Sequence, residues 1–287
     1  CYHLGMGKNV SKSSLARANQ DRDYHIFEEY AYYLVSEARQ KCANHIFKLG
    51  GNVYAFDSTT IDLCLSVFWW AKFRKKKGGI KVHTLYDVET QIPAFFHITE
   101  ASVHDSKVMI EIPYEPSSYY IFDRGYNNFK MLYKIHQIEA YFVVRAKKNL
   151  GYKSIQWKRR LPKNVLSDAS VFLTGFYPKQ YYPEPLRLVK YWDEEQEREF
   201  TFITNAMHIS ALQVAELYKN RWQVELFFKW LKQHLKIKRF WGTTENAVRI
   251  QIYAAICAYC LVAIIQHDMQ PVSYTHLRAH ETDSYLV

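Results

Sequence analysis

Acidic residues, paired cysteines and long apolar runs are all in short supply in this chain of 287 residues. Lys and Arg number 38 against 28 Asp and Glu, a formal charge of +10 with pI near 9.2. That balance favours a polyanionic partner, because each neutralised phosphate releases counterions, although many basic proteins bind no nucleic acid. The five cysteines, Cys1, Cys42, Cys64, Cys257 and Cys260, are odd in number and follow no regular framework. This excludes a disulfide scaffold and fits a reduced, cytoplasmic chain. Cys257-x2-Cys260 stands alone in an apolar stretch and reads as core packing, and the seven histidines from His83 to His267 are scattered with no His-x3-His zinc spacing. The strongest apolar run, Ile252 to Ile265, falls short of the ~20 residues that span a bilayer. Arg249, Gln251 and Gln266 bound it, so a buried helix is expected and no membrane partner. No signal peptide opens the chain; its first residue is Cys1, so the natural start is expected to be missing.

What is present is the composition of a packed protein, 48% hydrophobic and 16% aromatic, enough for one large domain or two modest ones. Residues 1–20 read as a loop. A helix is expected from Asp21 to about Ala43, with Ile26, Tyr30, Tyr33, Leu34 and Ala38 on one face. Strands are expected at Val53–Phe56, ending on Asp57, and at Leu63–Phe68, Ile80–Tyr86 and Ile92–Ile98. Another, Tyr119–Phe122, ends on Asp123. A short helix (Asn128–Gln137) and a strand (Tyr141–Arg145) follow. Residues 150–205 are rich in short alternating runs and read as a β-rich insertion, with a hairpin turn at Asp193–Gln196. The chain then turns helical over Ala211–Leu235 and from Glu245 to His267. The fold class is therefore α/β, a mixed sheet with helices packed on it. If the two strands that end on Asp are parallel neighbours, both carboxylates emerge at one sheet edge, where open α/β sheets place their sites.

In the helix that follows the insertion, Tyr218, Arg221, Glu225 and Lys232 fall at offsets 0, 3, 7 and 14. Seven residues are close to two turns, so the four share one stripe. A carboxylate between cations suits a metal ion held against phosphate, the acid on the metal and Arg and Lys on phosphate oxygens. A solvated charged face with ordinary ion pairs accounts for the spacing as well. Lys72, Arg74, Lys75, Lys76, Lys77 and Lys81 form a second basic stretch, read either as a solvated hairpin loop or as a DNA contact; its Gly spacing is not that of a Walker loop. Trp69 and Trp70 precede it, with burial expected and base stacking the other role. Asp62 and Asp105 compete as acids, Asp105 reading as a cap of a short helix.

Tyr218-x2-Arg221-x3-Glu225-x6-Lys232, together with Phe56-Asp57-Ser58-Thr59-Thr60 and Asp123-Arg124-Gly125-Tyr126, resembles the insertion-sequence-four family of transposases, within the DDE superfamily. The likeness covers about residues 10–269. It implies a ribonuclease-H-like core with a β-rich insertion before the third acid, and Asp57, Asp123 and Glu225 as catalytic, metal-holding acids. It implies two Mg²⁺ ions, with Mn²⁺ as a substitute, that activate a water or a DNA 3′-hydroxyl for in-line attack on a phosphodiester. Tyr218, Arg221, Lys232 and Arg124 are then expected on DNA, as is the Arg74–Lys77 stretch. The implied partners are double-stranded DNA, as transposon ends and target, and a second copy of the chain in the DNA complex. The implied location is the bacterial cytoplasm, on the nucleoid.

On this reading residues 1–48 are a helical remnant of a DNA-binding region, 49–149 the first part of the core, 150–207 the insertion and 208–269 the helical end of the core. Residues 270–287 have no apolar period and resemble translated sequencing-adapter DNA, so a non-native tail is expected. Two functions compete: a transposase that cleaves DNA and transfers strands at insertion-sequence ends, and an inactive DNA-binding remnant of one.

Overall fold

A computed structural model describes residues 10–43, 46–63, 66, 68–74, 77–234, 240 and 242–269. The first helix, α1 (Lys12–Asp21), lies where a loop is expected; Ser11 caps it, its hydroxyl accepting from the Ser14 N–H at 3.1 Å. Helix α2 (His25–Lys41) buries Ala31, Leu34, Val35 and Ala38, while Ile26, Tyr30 and Tyr33 are exposed. The expected face is thus rotated: the small and aliphatic residues pack against the long helix α7 (Glu245–Asp268), and the tyrosines are left outside. Asn246, near the start of α7, joins the three helices. Its amide donates to the carbonyls of Asn19 and Arg22, and its oxygen accepts from the Tyr24 N–H. Those carbonyls at the end of α1 have no partner within the helix, so a side chain must supply one.

One mixed sheet organises the rest. Strand β1 (Val53–Leu63) pairs antiparallel with β3 (Lys77–Asp87), which also pairs with β2 (Lys72–Arg74) and β4 (Ile92–Glu100). On its other side β1 runs parallel to β5 (Tyr119–Phe122), and β5 parallel to β6 (Tyr141–Arg145). The β5–β6 crossover is α3 (Phe129–Gln137), capped by Asn128 and anchored by Met131, Leu132 and Ile135. This is the ribonuclease-H-like arrangement that the sequence leads one to expect, flanked by helices on both faces. All four residues of β5 are buried, as a parallel strand covered on both sides requires.

Residues 150–207 do form strands: β7 (Tyr152–Trp157), β8 (Val165–Leu173), β9 (Leu186–Asp193) and β10 (Arg198–Thr204), with a short helix, α4 (Phe176–Tyr181). They extend the same sheet, because β10 pairs with β6. A buried ion pair ties this extension down. Arg187 grips Asp168 with Nε at 2.7 Å and Nη2 at 2.8 Å, and its Nη1 donates to the carbonyls of Ala206 and Ile209. Ile209 leads directly into α5 (Ala211–Lys219), which Ser210 and Gln213 open with a reciprocal capping box.

Two expectations fail here. The strand expected at Leu63–Phe68 is not seen at its described residues, since Leu63 ends β1 and Ser66 and Phe68 are not in a strand, while Cys64, Leu65 and Val67 lie outside the described residues. Strand β1 itself runs on through Asp57 to Leu63, because Ser58 to Leu63 alternate against β3. The expected single helix Ala211–Leu235 is two, α5 and α6 (Trp222–His234). At Asn220 and Arg221 the backbone tightens to three-residue bonds, Arg221 N–H to the Tyr218 carbonyl at 3.0 Å and Gln223 N–H to the Asn220 carbonyl at 3.1 Å. Cys257 and Cys260 pack in the core with α2, as expected.

Candidate active site

The parallel ladder fixes where the chemistry sits. Phe56 pairs with Phe122, and Phe122 with Val144. The next residue on each of these three neighbouring strands is Asp57, Asp123 and Arg145. Three charged side chains therefore stand side by side at the carboxyl edge of the parallel strands, where neighbours are ~4.8 Å apart. Asp57 does not end its strand; it ends the parallel pairing while β1 continues against β3, opposite Thr84. Asp62, five residues on, is on the other face of the strand by parity and is no substitute for Asp57.

The turn between α5 and α6 brings the remaining groups to this edge. Arg221 Nη1 donates to Asp57 Oδ2 at 2.8 Å and its Nη2 to Glu225 Oε1 at 2.5 Å. One guanidinium thus bridges the first and third candidate acids. Tyr218 donates its hydroxyl to Asp123 Oδ1 at 2.8 Å, with its ring buried against Phe200 and Phe202. Tyr218, Arg221 and Glu225 converge although the helix is broken, since one tightened turn shifts their phase only modestly. Lys232 lies further along α6. With Asp57, Ser58, Thr59, Glu225 and Phe228 it lines an open groove of about 540 Å³.

Charge and burial set the acids apart. Burial pushes Asp57 up to about 6; the Arg221 guanidinium and the Ser58 N–H pull back, and the charges of Glu225 and Asp123 add to the push. Burial also works on Asp123, but the Arg124 backbone N–H, the Tyr218 hydroxyl, Arg221 and Arg145 outweigh it and hold Asp123 below the ordinary carboxylate value. Burial alone would lower Arg221, yet the carboxylates of Asp57 and Glu225 keep it above the ordinary arginine value. Burial raises the Tyr218 hydroxyl to about 12, assisted by Asp123.

Behind Asp57 lies a polar network. The Ser58 N–H donates to Asp57 Oδ1 at 2.8 Å, and the Ser58 hydroxyl to Asp105 Oδ1 at 2.8 Å. Lys81 pairs with Asp105 at 3.0 Å and donates to the Val103 carbonyl. His104, not Asp105, caps the short 3-10 segment Asp105–Glu111. Asp105 is therefore a partner of Ser58 and Lys81, and the expected cap is corrected. Tyr126, buried beside this network, keeps its hydroxyl without a hydrogen-bond partner among the described residues.

The other expected contacts are less informative. Arg124 follows Asp123 with its Nε buried and unpartnered among the described residues. Lys75 and Lys76 lie outside the described residues, and Arg74 and Lys77 are described only as backbone of β2 and β3. Trp70 is half-buried, but Trp69 is exposed, against the expectation of burial. The sequence reading missed Arg145 and Ser58 as site residues, and grouped Lys81 with the basic stretch rather than with Asp105. Arg145 carried a usable signal, because its strand ends on a charged residue just as the runs before Asp57 and Asp123 do.

Comparison with known proteins points to one family. The family model described as "Transposase DDE domain" matches residues 48–261. The chain is 39% identical over 215 residues to "Putative transposase y4zB" of Sinorhizobium fredii, which covers 72% of this chain and 59% of that protein. It is 27% identical over 250 residues to "Probable transposase for insertion sequence element IS5377" of Geobacillus stearothermophilus, covering 87% and 66% of the two chains. A Synechocystis protein, "Putative transposase for insertion sequence element IS4SA", is 26% identical over 272 residues, covering 90% and 73%. The chain thus spans less than two thirds of the first two relatives. With its ribonuclease-H-like sheet and two neighbouring aspartates at the strand edge, the chain belongs to the family of transposase DDE domains.

Proposed function

We propose that this chain is the catalytic core of a DNA transposase, cleaving phosphodiester bonds and transferring strands at insertion-sequence ends. The observation that carries this reading is the placement of Asp57 and Asp123 side by side on parallel strands, with Glu225 joined to Asp57 through Arg221. The fit to divalent metal rests on the donor set. All three acids offer hard carboxylate oxygens, which suit Mg²⁺. Asp57 and Glu225 already share one cationic group, and Asp57 is pushed upward first by burial and then by the charges of Glu225 and Asp123, so a further cation beside it is favoured. Among the described residues no three acids, histidines or cysteines stand as a ready-made metal cluster. Arg221 therefore has to yield its place for Asp57, Asp123 and Glu225 to act as ligands. When bound, Mg²⁺, or Mn²⁺ in its stead, supplies Lewis-acid activation of the attacking and leaving oxygens.

The chain's own residues divide the remaining tasks. Asp57, Asp123 and Glu225 hold the reacting centre. Arg221, once released, and Lys232, further along the groove, neutralise phosphate oxygens, whose charge grows in the transition state. Tyr218 holds Asp123 in place from the buried side. Arg124 and Arg145 extend the cationic edge towards the flanking DNA, and the basic Arg74–Lys77 stretch, of which Lys75 and Lys76 lie outside the described residues, is a further DNA contact on this reading. The protein works as a homodimer on paired transposon ends, in the bacterial cytoplasm. An inactive remnant would keep DNA binding and lose cleavage. The test is nicking of a labelled duplex in Mg²⁺ by the wild type and by Glu225→Gln. Cleavage by the wild type alone is expected; equal nicking by both proteins, or none by either, removes the enzymatic reading.

A further inference from the structure

Tyr126 sits in the short 3-10 turn that follows Asp123, its N–H donating to the Asp123 carbonyl at 3.0 Å. Its ring covers the last pair of the parallel ladder, edge-on to Phe56 at 5.4 Å and tilted against Phe122 at 5.8 Å. The residue is 3% exposed, yet its hydroxyl has no hydrogen-bond partner among the described residues. A buried hydroxyl left unpaired costs its full desolvation, and folded interiors hold few of them.

The surroundings narrow its choice of acceptor. Side chains alternate along a strand, so Phe56 and Ser58 lie on the same face of β1. Tyr126 packs on that face, and the 3-10 segment Asp105–Glu111 packs against the turn that carries it. Burial pushes the Tyr126 hydroxyl far up, the charges of Asp57 and Asp105 push it further, and the neighbouring Ser58 hydroxyl pulls back a little. Tyr126 therefore keeps its proton and is a donor without an acceptor. Asp105 Oδ1 already accepts from Ser58 at 2.8 Å and pairs with Lys81 at 3.0 Å, and Asp57 Oδ1 accepts from the Ser58 N–H. Ser58 Oγ gives its own proton to Asp105, which leaves its lone pairs able to accept.

We propose that Tyr126 is a positioning residue whose hydroxyl closes onto Ser58 Oγ when Asp57 and Asp123 take up the metal ion. Ser58 directly follows Asp57, and Tyr126 lies three residues beyond Asp123. The bond thus joins the two segments that leave the acids, and the series Tyr126, Ser58, Asp105 and Lys81 holds the acids at one separation. Without metal, Arg221 occupies Asp57 Oδ2 at 2.8 Å and the clamp is open. This rests on the metal-holding reading of the acids and adds a residue that touches neither metal nor DNA.

The experiment compares Tyr126→Phe, which removes the hydroxyl and keeps the ring, with the wild type in two measurements of opposite expected sign. Without metal, its midpoint in urea is expected to equal or exceed that of the wild type, since no bond is lost. Its affinity for Mn²⁺, titrated by calorimetry without DNA, is expected to fall roughly 10- to 100-fold, the range for losing a residue that supports a metal ligand. Ser58→Ala is expected to weaken Mn²⁺ binding less in the Tyr126→Phe protein than in the wild type, because the two residues act through one bond. A lowered midpoint for Tyr126→Phe overturns the proposal, as it shows a hydroxyl already bonded in the metal-free fold. So does wild-type affinity for Mn²⁺, and so do additive effects of the two substitutions. A wild type that binds no Mn²⁺ overturns the metal-holding reading itself and the clamp with it, whereas undiminished binding by Tyr126→Phe removes only the clamp.

Discussion

Asp57 and Asp123 occupy equivalent places on neighbouring parallel strands, each following the last pair of the ladder, Phe56 with Phe122. Register alone therefore sets two carboxylates next to each other before any helix contributes. Their environments then diverge: Tyr218 and nearby N–H groups settle Asp123, while Asp57 is left buried beside other acids, with Arg221 as its main relief.

Arg221 competes with any cation for the oxygens of Asp57 and Glu225. Two unit charges 4 Å apart interact by about 4 kcal/mol at an effective dielectric near 20. Even a fraction of that, about 1.4 kcal/mol, gives tenfold. Arg221→Ala is therefore expected to bind Mn²⁺ at least about tenfold more tightly by calorimetry without DNA, while losing DNA cleavage. Metal affinity that is unchanged or weaker would show that Arg221 does not hold the metal's place.

Ser58 ties Asp57 to the Asp105–Lys81 pair. Loss of such a supporting contact costs roughly 10- to 100-fold in metal affinity or activity. Ser58→Ala is expected to show that loss in single-turnover cleavage, and Ser58→Thr, which keeps the hydroxyl, to recover most of it. Equal rates for Ala and wild type would leave the network a purely structural feature.

The push on Asp57 to about 6 has a thermodynamic consequence. An acid whose folded value lies above its unfolded value binds more protons when folded, so its contribution to stability falls as pH rises between the two. Without metal, wild type should lose about 1–3 kcal/mol relative to Asp57→Asn between pH ~4 and pH ~6. Urea denaturation at a series of pH values measures this; parallel curves for the two proteins would refute it.

The Arg187–Asp168 pair behaves in the opposite sense. Burial opposes the charge on Asp168, but Arg187 and Lys158 together hold it below the ordinary value. Its stabilisation is present above the unfolded carboxylate value and is lost as pH falls through the lower folded one. Asp168→Ala leaves Arg187 buried and unpaired, which costs about 3–5 kcal/mol. Because Arg187 also holds the Ile209 carbonyl ahead of α5, cleavage should weaken together with stability. A denaturation midpoint within error of wild type would contradict this.

Much of the site is legible in the sequence because buried parallel strands are nearly continuous apolar runs that stop on the residue that leaves the core. Tyr119–Phe122 stops on Asp123 in this way, and Tyr141–Val144 stops on Arg145. Helical spacing brings out Glu225 and Lys232. What escapes the sequence is set by tertiary contacts. The Asn220–Arg221 break lies within an unbroken apolar period, so nothing local marks it. Ser58 to Leu63 stay extended because β3 pairs with them, which their polar composition hides. In α2 Tyr30 and Tyr33 look like part of the buried face, yet the small and aliphatic residues Ala31, Leu34, Val35 and Ala38 are the ones buried. Trp69 looks like core until the turn is seen to spend its burial on Phe68 and Trp70.

The most direct measurement is anomalous diffraction from crystals grown with Mn²⁺ and a DNA end. The account predicts Mn²⁺ held by Asp57, Asp123 and Glu225, with Arg221 withdrawn from both acids onto a phosphate. Mn²⁺ bound elsewhere, with Arg221 still bridging Asp57 and Glu225, would contradict it.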